Sequence, residues 1–286
     1  MRFILTALLI LTFLLPPNAG ARIITDSLPE GDWDRCKSTH FVIYYHPSID
    51  KDYIKEFSRK CEEYHDTITD RLGFKRVNFW LWEDRAKVFI YKDRESYVKG
   101  TGREAWSGAS VYYKEKVLNT FFFEGDFFDV ILPHEISHII LREAIGVKTR
   151  VPLWFEEGVA CANEKDSLAR YLMVVKRIVE KNEFISLRYL DAISYGGVMV
   201  PRTFYPTAAA VIIFLFENNK WGKSKFTELC SELKEIRTYR EETFYGVLNK
   251  VYGISGVDEL DKDLLEFIDK MTYQDLVEKK RFDVKW

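Results

Sequence analysis

The sequence predicts an α+β protein with a mixed sheet and helices first and a mainly helical lobe after. Two observations predict this. Segments rich in β-branched and aromatic residues crowd the first 125 or so positions, whereas apolar residues recur at helical spacing across 166–270. Between them, over 126–165, two helical patterns carry the densest set of chemically interesting side chains.

Thr39 to His46 (THFVIYYH) reads as a strand because its residues favour a pleated, half-buried surface. Ile49 to Leu72 follows as an amphipathic helix, with Gly73 as its C-terminal stop. Val77 to Trp82 and Lys87 to Tyr91 are two further strand candidates, and Ala109–Tyr113 pairs with Val117–Phe123 as a hairpin turning at Lys114-Glu115-Lys116. Val117–Phe123 is expected to be a core strand, the alternative being a strand along which an extended peptide lies. Helices are expected over 166–182, 206–219, 222–235, 241–251 and 257–270, separated by Gly and Pro clusters such as Gly196-Gly197 and Pro201. Residues 271–286 are read as a polar tail. The resulting organisation is 1–21, 22–165 as the α+β lobe, 166–270 as the helical lobe and 271–286.

The chain has 286 residues, 47% hydrophobic and 30% charged, with a net charge of -2. That is enough for one sizeable core or two modest lobes, and it lacks the basic excess a nucleic-acid partner demands. Phe3 to Leu15 forms an apolar run of 13 residues after Arg2, broken by Pro16-Pro17 and followed by Ala19-Gly20-Ala21. A bilayer needs roughly 20 apolar residues, so this segment reads as a signal peptide cleaved after Ala21. Export to a periplasm or the extracellular space follows; an uncleaved tether is the alternative, and no later stretch is apolar enough to span a membrane. Cys36, Cys61, Cys161 and Cys230 are then either buried hydrophobes or members of one or two disulfides.

His134-Glu135-Ile136-Ser137-His138 is an H-E-x-x-H sequence. Residues four apart on a helix are separated by about 400° and 6 Å, so both imidazoles project from one face and can grip one metal ion. Glu135, about 100° further round, can reach a water on that metal as general base. Ile136, Ile139, Ile140 and Ala144 make the core stripe, and His134, His138, Leu141 and Ile145 a second stripe lining a cleft. Pro133 places the helix start near Val130–Pro133, capped by Asp129, or marks a bend. A catalytic zinc site takes three protein ligands and leaves one position open. The third lies in Trp154-Phe155-Glu156-Glu157-Gly158-Val159-Ala160, where Glu157 follows His138 after 18 residues, room for a second helix to return. Glu156 is the rival, about 100° away on the same helix. Pro152 suits that helix's first turn, and Gly158 suits close packing of the two helices.

This H-E-x-x-H, 18 residues and Glu157 in a W-x-x-E-G-x-A setting resembles the gluzincin metallopeptidases, aminopeptidase branch, and the mature chain is similar to bacterial peptidase MA-like proteins. The likeness is specific over 130–162 and diffuse over about 38–270. It implies one zinc per chain on His134, His138 and Glu157, Glu135 as base, and a peptide or protein substrate cut by hydrolysis. Two features depart from the family. There is no G-x-M-E-N segment to hold a substrate amino terminus; Trp106–Ser110 sits in that place without a carboxylate. No His follows His138, so a Tyr or Arg must serve as oxyanion donor; Tyr205, just ahead of the helix 206–219, is the first candidate, the alternative being a Tyr that packs at that helix start, and Tyr195 is the second. The competing reading is a zinc-stabilised peptide-binding or scaffold module, against which Glu135 argues because a structural site gives it no task.

Overall fold

The computed structural model describes residues 28–74, 80–105, 107–123, 125, 127–193, 201–217, 222–235 and 241–282. The expected signal peptide, Trp106, Tyr195, Gly196-Gly197 and the first half of the Val77–Trp82 strand lie outside them. The α+β class holds, with a five-stranded mixed sheet first and helices after it. The chain divides into two compact units, the described parts of 1–66 with 76–139 and of 67–75 with 140–286. The boundary expected after residue 165 therefore falls inside the second unit.

In the first unit the strands are β1 (Asp34–Lys37), β2 (Phe41–Tyr45), β3 (Ala86–Tyr91), β4 (Ala109–Tyr112) and β5 (Val117–Phe121), in the spatial order β1-β2-β3-β5-β4. β2, β3 and β5 run parallel; β1 and β4 are antiparallel edges. Two parallel neighbours need a crossover. Helix α1 (Lys51–Arg71) supplies it between β2 and β3, and α2 (Arg94–Thr101) with β4 between β3 and β5. Paired residues share a face. Phe41, Ile43 and Tyr45 stand in register with Ala86, Val88 and Ile90, while Tyr44 stacks on Phe89 on the opposite side, 5.0 Å apart. On that second face Phe89, Tyr91, Val117 and Phe121 pack with Tyr97 of α2 into one apolar cluster. α1 turns Ile54, Phe57, Cys61, His65 and Ile68 inward at helical spacing.

Several expectations change here. β5 is flanked on both edges, by β3 and β4, so it is the core strand and offers no edge to an extended peptide. Trp80 has φ 62 and Trp82–Asp84 form a 3-10 turn, so the described half of Val77–Trp82 is not strand. Gly73, at φ 82, ends α1 as expected.

The second unit contains α4 (Leu153–Ala162), α5 (Ser167–Glu180), α6 (Leu187–Asp191), α7 (Pro201–Glu217), α8 (Lys223–Glu235), α9 (Glu241–Tyr252), α10 (Val257–Lys270) and α11 (Tyr273–Phe282). α7 begins five residues before the helix expected over 206–219, carries Pro206 inside it, and is buried from Pro206 to Leu215. α11 replaces much of the expected tail; Leu276 is its buried anchor. Gly158 does permit a close approach, though not between the two motif helices. A Cβ there would lie 2.4 Å from the Ala208 carbonyl oxygen, so α4 rests directly on the backbone of α7. All four cysteines are free thiols; Cys61, Cys161 and Cys230 are buried, and burial pushes the Cys61 thiol well up. Among the described residues no helix is long and apolar enough to cross a membrane.

Candidate metal centre

Helix α3 (Leu132–Ile145) carries the first two candidate ligands. A π-helical turn over Phe127–Ile131 leads into it, which puts Pro133 in the first turn of the α-helix, where its missing N–H costs nothing. The Ser137 hydroxyl donates to the Pro133 carbonyl at 2.7 Å. His134 and His138 lie four residues apart, their ring centroids 4.8 Å apart and their planes at 79°. The two-striped helix expected from the sequence is buried on every side from Leu132 to Arg142; Ala144 is only partly so.

Helix α4 brings the third. Pro152 occupies the N-cap position, one residue ahead of the first turn expected for it, and every residue of α4 is buried. The ring nitrogens of His134 and His138 and a carboxylate oxygen of Glu157 all lie within 4.8 Å of one another. Two imidazoles and a carboxylate are a donor set suited to zinc.

The acids around this point are sorted by partner. Glu156, 1% exposed, takes a bond from Arg142 Nε at 2.8 Å and a second from Nη2, a bidentate buried pair. Arg142 also donates to the Thr149 carbonyl at 2.5 Å, and the Thr149 hydroxyl returns to Ile145. Glu156 is thus a buried salt-bridge partner that ties α4 to the end of α3. Glu164, 3% exposed, is held by Arg170 and by the Tyr171 hydroxyl at 2.7 Å. Burial pushes the Tyr171 phenol well up, so it stays a donor. Glu157 points at the imidazoles.

Glu164 was not singled out from the sequence. A carboxylate oxygen of Glu164, the Cys161 sulfur and a ring nitrogen of His134 also gather within 4.8 Å. With an arginine already on its carboxylate, Glu164 suits a role behind His134, fixing its tautomer, rather than one as a ligand. The signal was there. Glu157, Cys161 and Glu164 follow the i, i+4, i+7 row of one helical face, but Glu164 falls two residues beyond α4.

His40, His65 and Asp66 also bring two ring nitrogens and a carboxylate oxygen within 4.8 Å of one another. The two rings are stacked, 3.8 Å apart at 18°, so their in-plane lone pairs run side by side instead of converging. The steep angle between His134 and His138 is the arrangement that lets two imidazoles aim at one point.

Glu135 is 1% exposed. Its charge is felt by the Tyr97 phenol. Burial raises that pKa, bonds from Ser107 and Ser110 pull it back, and Glu135 adds to the rise. Tyr97 lies 2.9 Å from the Ser107 hydroxyl, which donates to the Ala109 carbonyl. Tyr205 does not precede its helix; it lies within the second turn of α7, half-buried, its ring 5.3 Å from Phe204. A tyrosine the sequence reading passed over, Tyr113, has its ring centroid 6.2 Å from that of His138. Tyr113 is only partly buried, yet its hydroxyl oxygen is fully so, which turns the phenol tip inward. Lys116 N–H donates to the Tyr113 carbonyl at 3.1 Å and closes the β4–β5 turn beneath it.

No family model matches the chain, and no curated protein matches it.

Removing one member of a buried ion pair leaves the other uncompensated. Glu156→Gln is expected to cost about 3–5 kcal/mol in denaturant unfolding, whereas replacing Arg142 and Glu156 together by Met and Leu recovers most of the loss. An unchanged midpoint for the single variant would remove the pair from any structural role.

Proposed function

We propose that this chain is an exported, zinc-dependent metallopeptidase of gluzincin type, holding one zinc on His134, His138 and Glu157. The observation that carries the reading is the division of labour among the buried acids. Glu156 and Glu164 go to arginines, while Glu157, from the next residue of the same helix, goes to two imidazoles set at a steep angle. The resemblance to peptidase MA-like proteins over 130–162 agrees with that assignment.

A zinc ion so held supplies Lewis acidity, polarising a peptide carbonyl and acidifying the attacking water. Glu135 takes the proton of that water and passes it to the leaving amine. Glu164 keeps the ring of His134 in one tautomer, with Arg170 and Tyr171 holding Glu164. For the developing oxyanion, Tyr113 is better supported than Tyr205, because its phenol tip is buried beside a ligand and its backbone is pinned in a closed turn. An extended peptide has β4 as the sheet edge to pair with, antiparallel strand addition being the usual mode at such an edge. Missing the G-x-M-E-N segment, the chain suits internal cuts better than removal of an amino-terminal residue.

Metal analysis of the purified protein is expected to give about one zinc per chain. Against a mixed peptide library, Glu135→Gln abolishes hydrolysis and leaves the zinc in place; activity that survives this change would end the mechanism. A zinc-loaded protein that cuts nothing points instead to a metal-stabilised binding module. Glu164→Gln is expected to weaken zinc binding roughly 10–100-fold in chelator competition. Tyr113→Phe is expected to lower turnover by roughly 100-fold with zinc content unchanged, and Tyr205→Phe to leave it near wild type; the reverse ranking would return the role to Tyr205.

A further inference from the structure

A second pair of histidines stands apart from the candidate metal centre, within the first unit. His65 occupies the inward row of α1 and is 5% exposed. His40 immediately precedes β2, and the two rings lie nearly parallel, 3.8 Å apart. Glu62, one turn before His65, accepts two bonds from His40, from the backbone N–H at 2.8 Å and from ring Nδ1 at 2.6 Å. An ionised carboxylate only accepts, so Nδ1 of His40 carries the proton in that bond. The edge of Phe41 and the ring of Trp80 close on His65 at 6.2 Å and 5.0 Å. The charged groups around the pair are Glu62 and Asp66 from α1, the latter exposed and 3.7 Å from His65, and Arg85 ahead of β3, which donates to the Thr39 carbonyl. The His40 carbonyl in turn accepts from Ala86. The stretch 39–41 is therefore where α1, β2 and β3 are fastened together.

Stacked rings in contact accommodate one positive charge and resist a second, because two imidazolium ions at this separation repel strongly in a site shielded from water. We propose that the His40–His65 stack is an acid-operated latch, in which a proton on His65 unstacks the rings and frees the start of β2 from α1. Burial first, and His40 second, hold the His65 pKa down, to about 4, although Glu62 and Asp66 pull the other way. For Glu62, burial raises the carboxyl pKa, but bonds from the His40 backbone, Ser38 and the His40 ring outweigh it and the net shift is downward. Both shifts work in one direction. An unfolded His titrates near 6.5, so between there and about 4 the unfolded chain binds the extra proton and the folded chain does not. Stability is intact above that window and drains away as pH falls through it.

The experiment is a pH series on the full chain, following the histidine ring resonances, the exchange of the His40 amide and thermal unfolding. The result expected is a His65 midpoint about two units below that of an ordinary His. The His40 amide should lose protection as His65 charges, and the melting temperature should fall by roughly 5–10 °C between pH 6.5 and 4. His65→Phe keeps a stacking ring without a titrating nitrogen and flattens that acid limb. His40→Gln keeps a donor to Glu62, removes the competing charge and moves the His65 midpoint upward, a readout that survives if His65→Phe does not fold. An ordinary His65 midpoint in the wild type, or His40→Gln leaving it in place, overturns the latch. So does zinc at neutral pH shifting the His40 and His65 resonances, which would make the pair a metal site.

Discussion

The candidate centre depends on one buried ion pair. Arg142 leaves the last turns of α3, meets both carboxylate oxygens of Glu156 on α4, and spends a further N–H on the Thr149 carbonyl of the connecting loop. That contact sets the rotation of α4. With Glu156 committed to the arginine, the residue after it is turned about 100° away, which brings the carboxylate of Glu157 toward the histidines. The candidate ligand is placed here by satisfying its neighbour.

The same logic extends outward. Gly158 lets α4 sit on the Ala208 carbonyl of α7, so the helix that bears Glu157 is seated directly against the backbone of its neighbour. Glu164 is clamped by Arg170 and Tyr171 in its turn. Glu156 and Glu164 are thus each fixed by an arginine, and Arg142 is itself tied to the Thr149 carbonyl. Preorganisation of this kind is what a reactive site requires if its geometry is to persist without a ligand.

Much of this was legible in the chain. The alternation in Thr39–His46, the helical spacing of Ile49–Leu72 and the two histidines at four-residue spacing, His134 and His138, each report a period, and period is what sequence displays most directly. What escaped was set by tertiary contact. β1 (DRCK) has no apolar alternation and is strand only because β2 lies beside it. α11 is polar apart from a few positions and is anchored through Leu276. Trp80 adopts a left-handed conformation within a run of strand formers. Gly158 was recognised as a point of close approach, but one sequence cannot say which helix approaches. Glu164 lies past a helix end, where a periodic row is hard to trust, and Tyr113 is one of 16 tyrosines with nothing in its local pattern to mark it.

The enclosure of α3 bears on how the candidate centre would take up a cation. His134 and His138 are sealed from solvent, with Leu132, Ile136, Ile139, Ile140 and Leu141 around them at no more than 1% exposure. Cation, water and peptide substrate alike would reach such a place only during openings of the finished structure. A zinc ion held there would exchange on the timescale of those openings, whatever the thermodynamic preference of its donors.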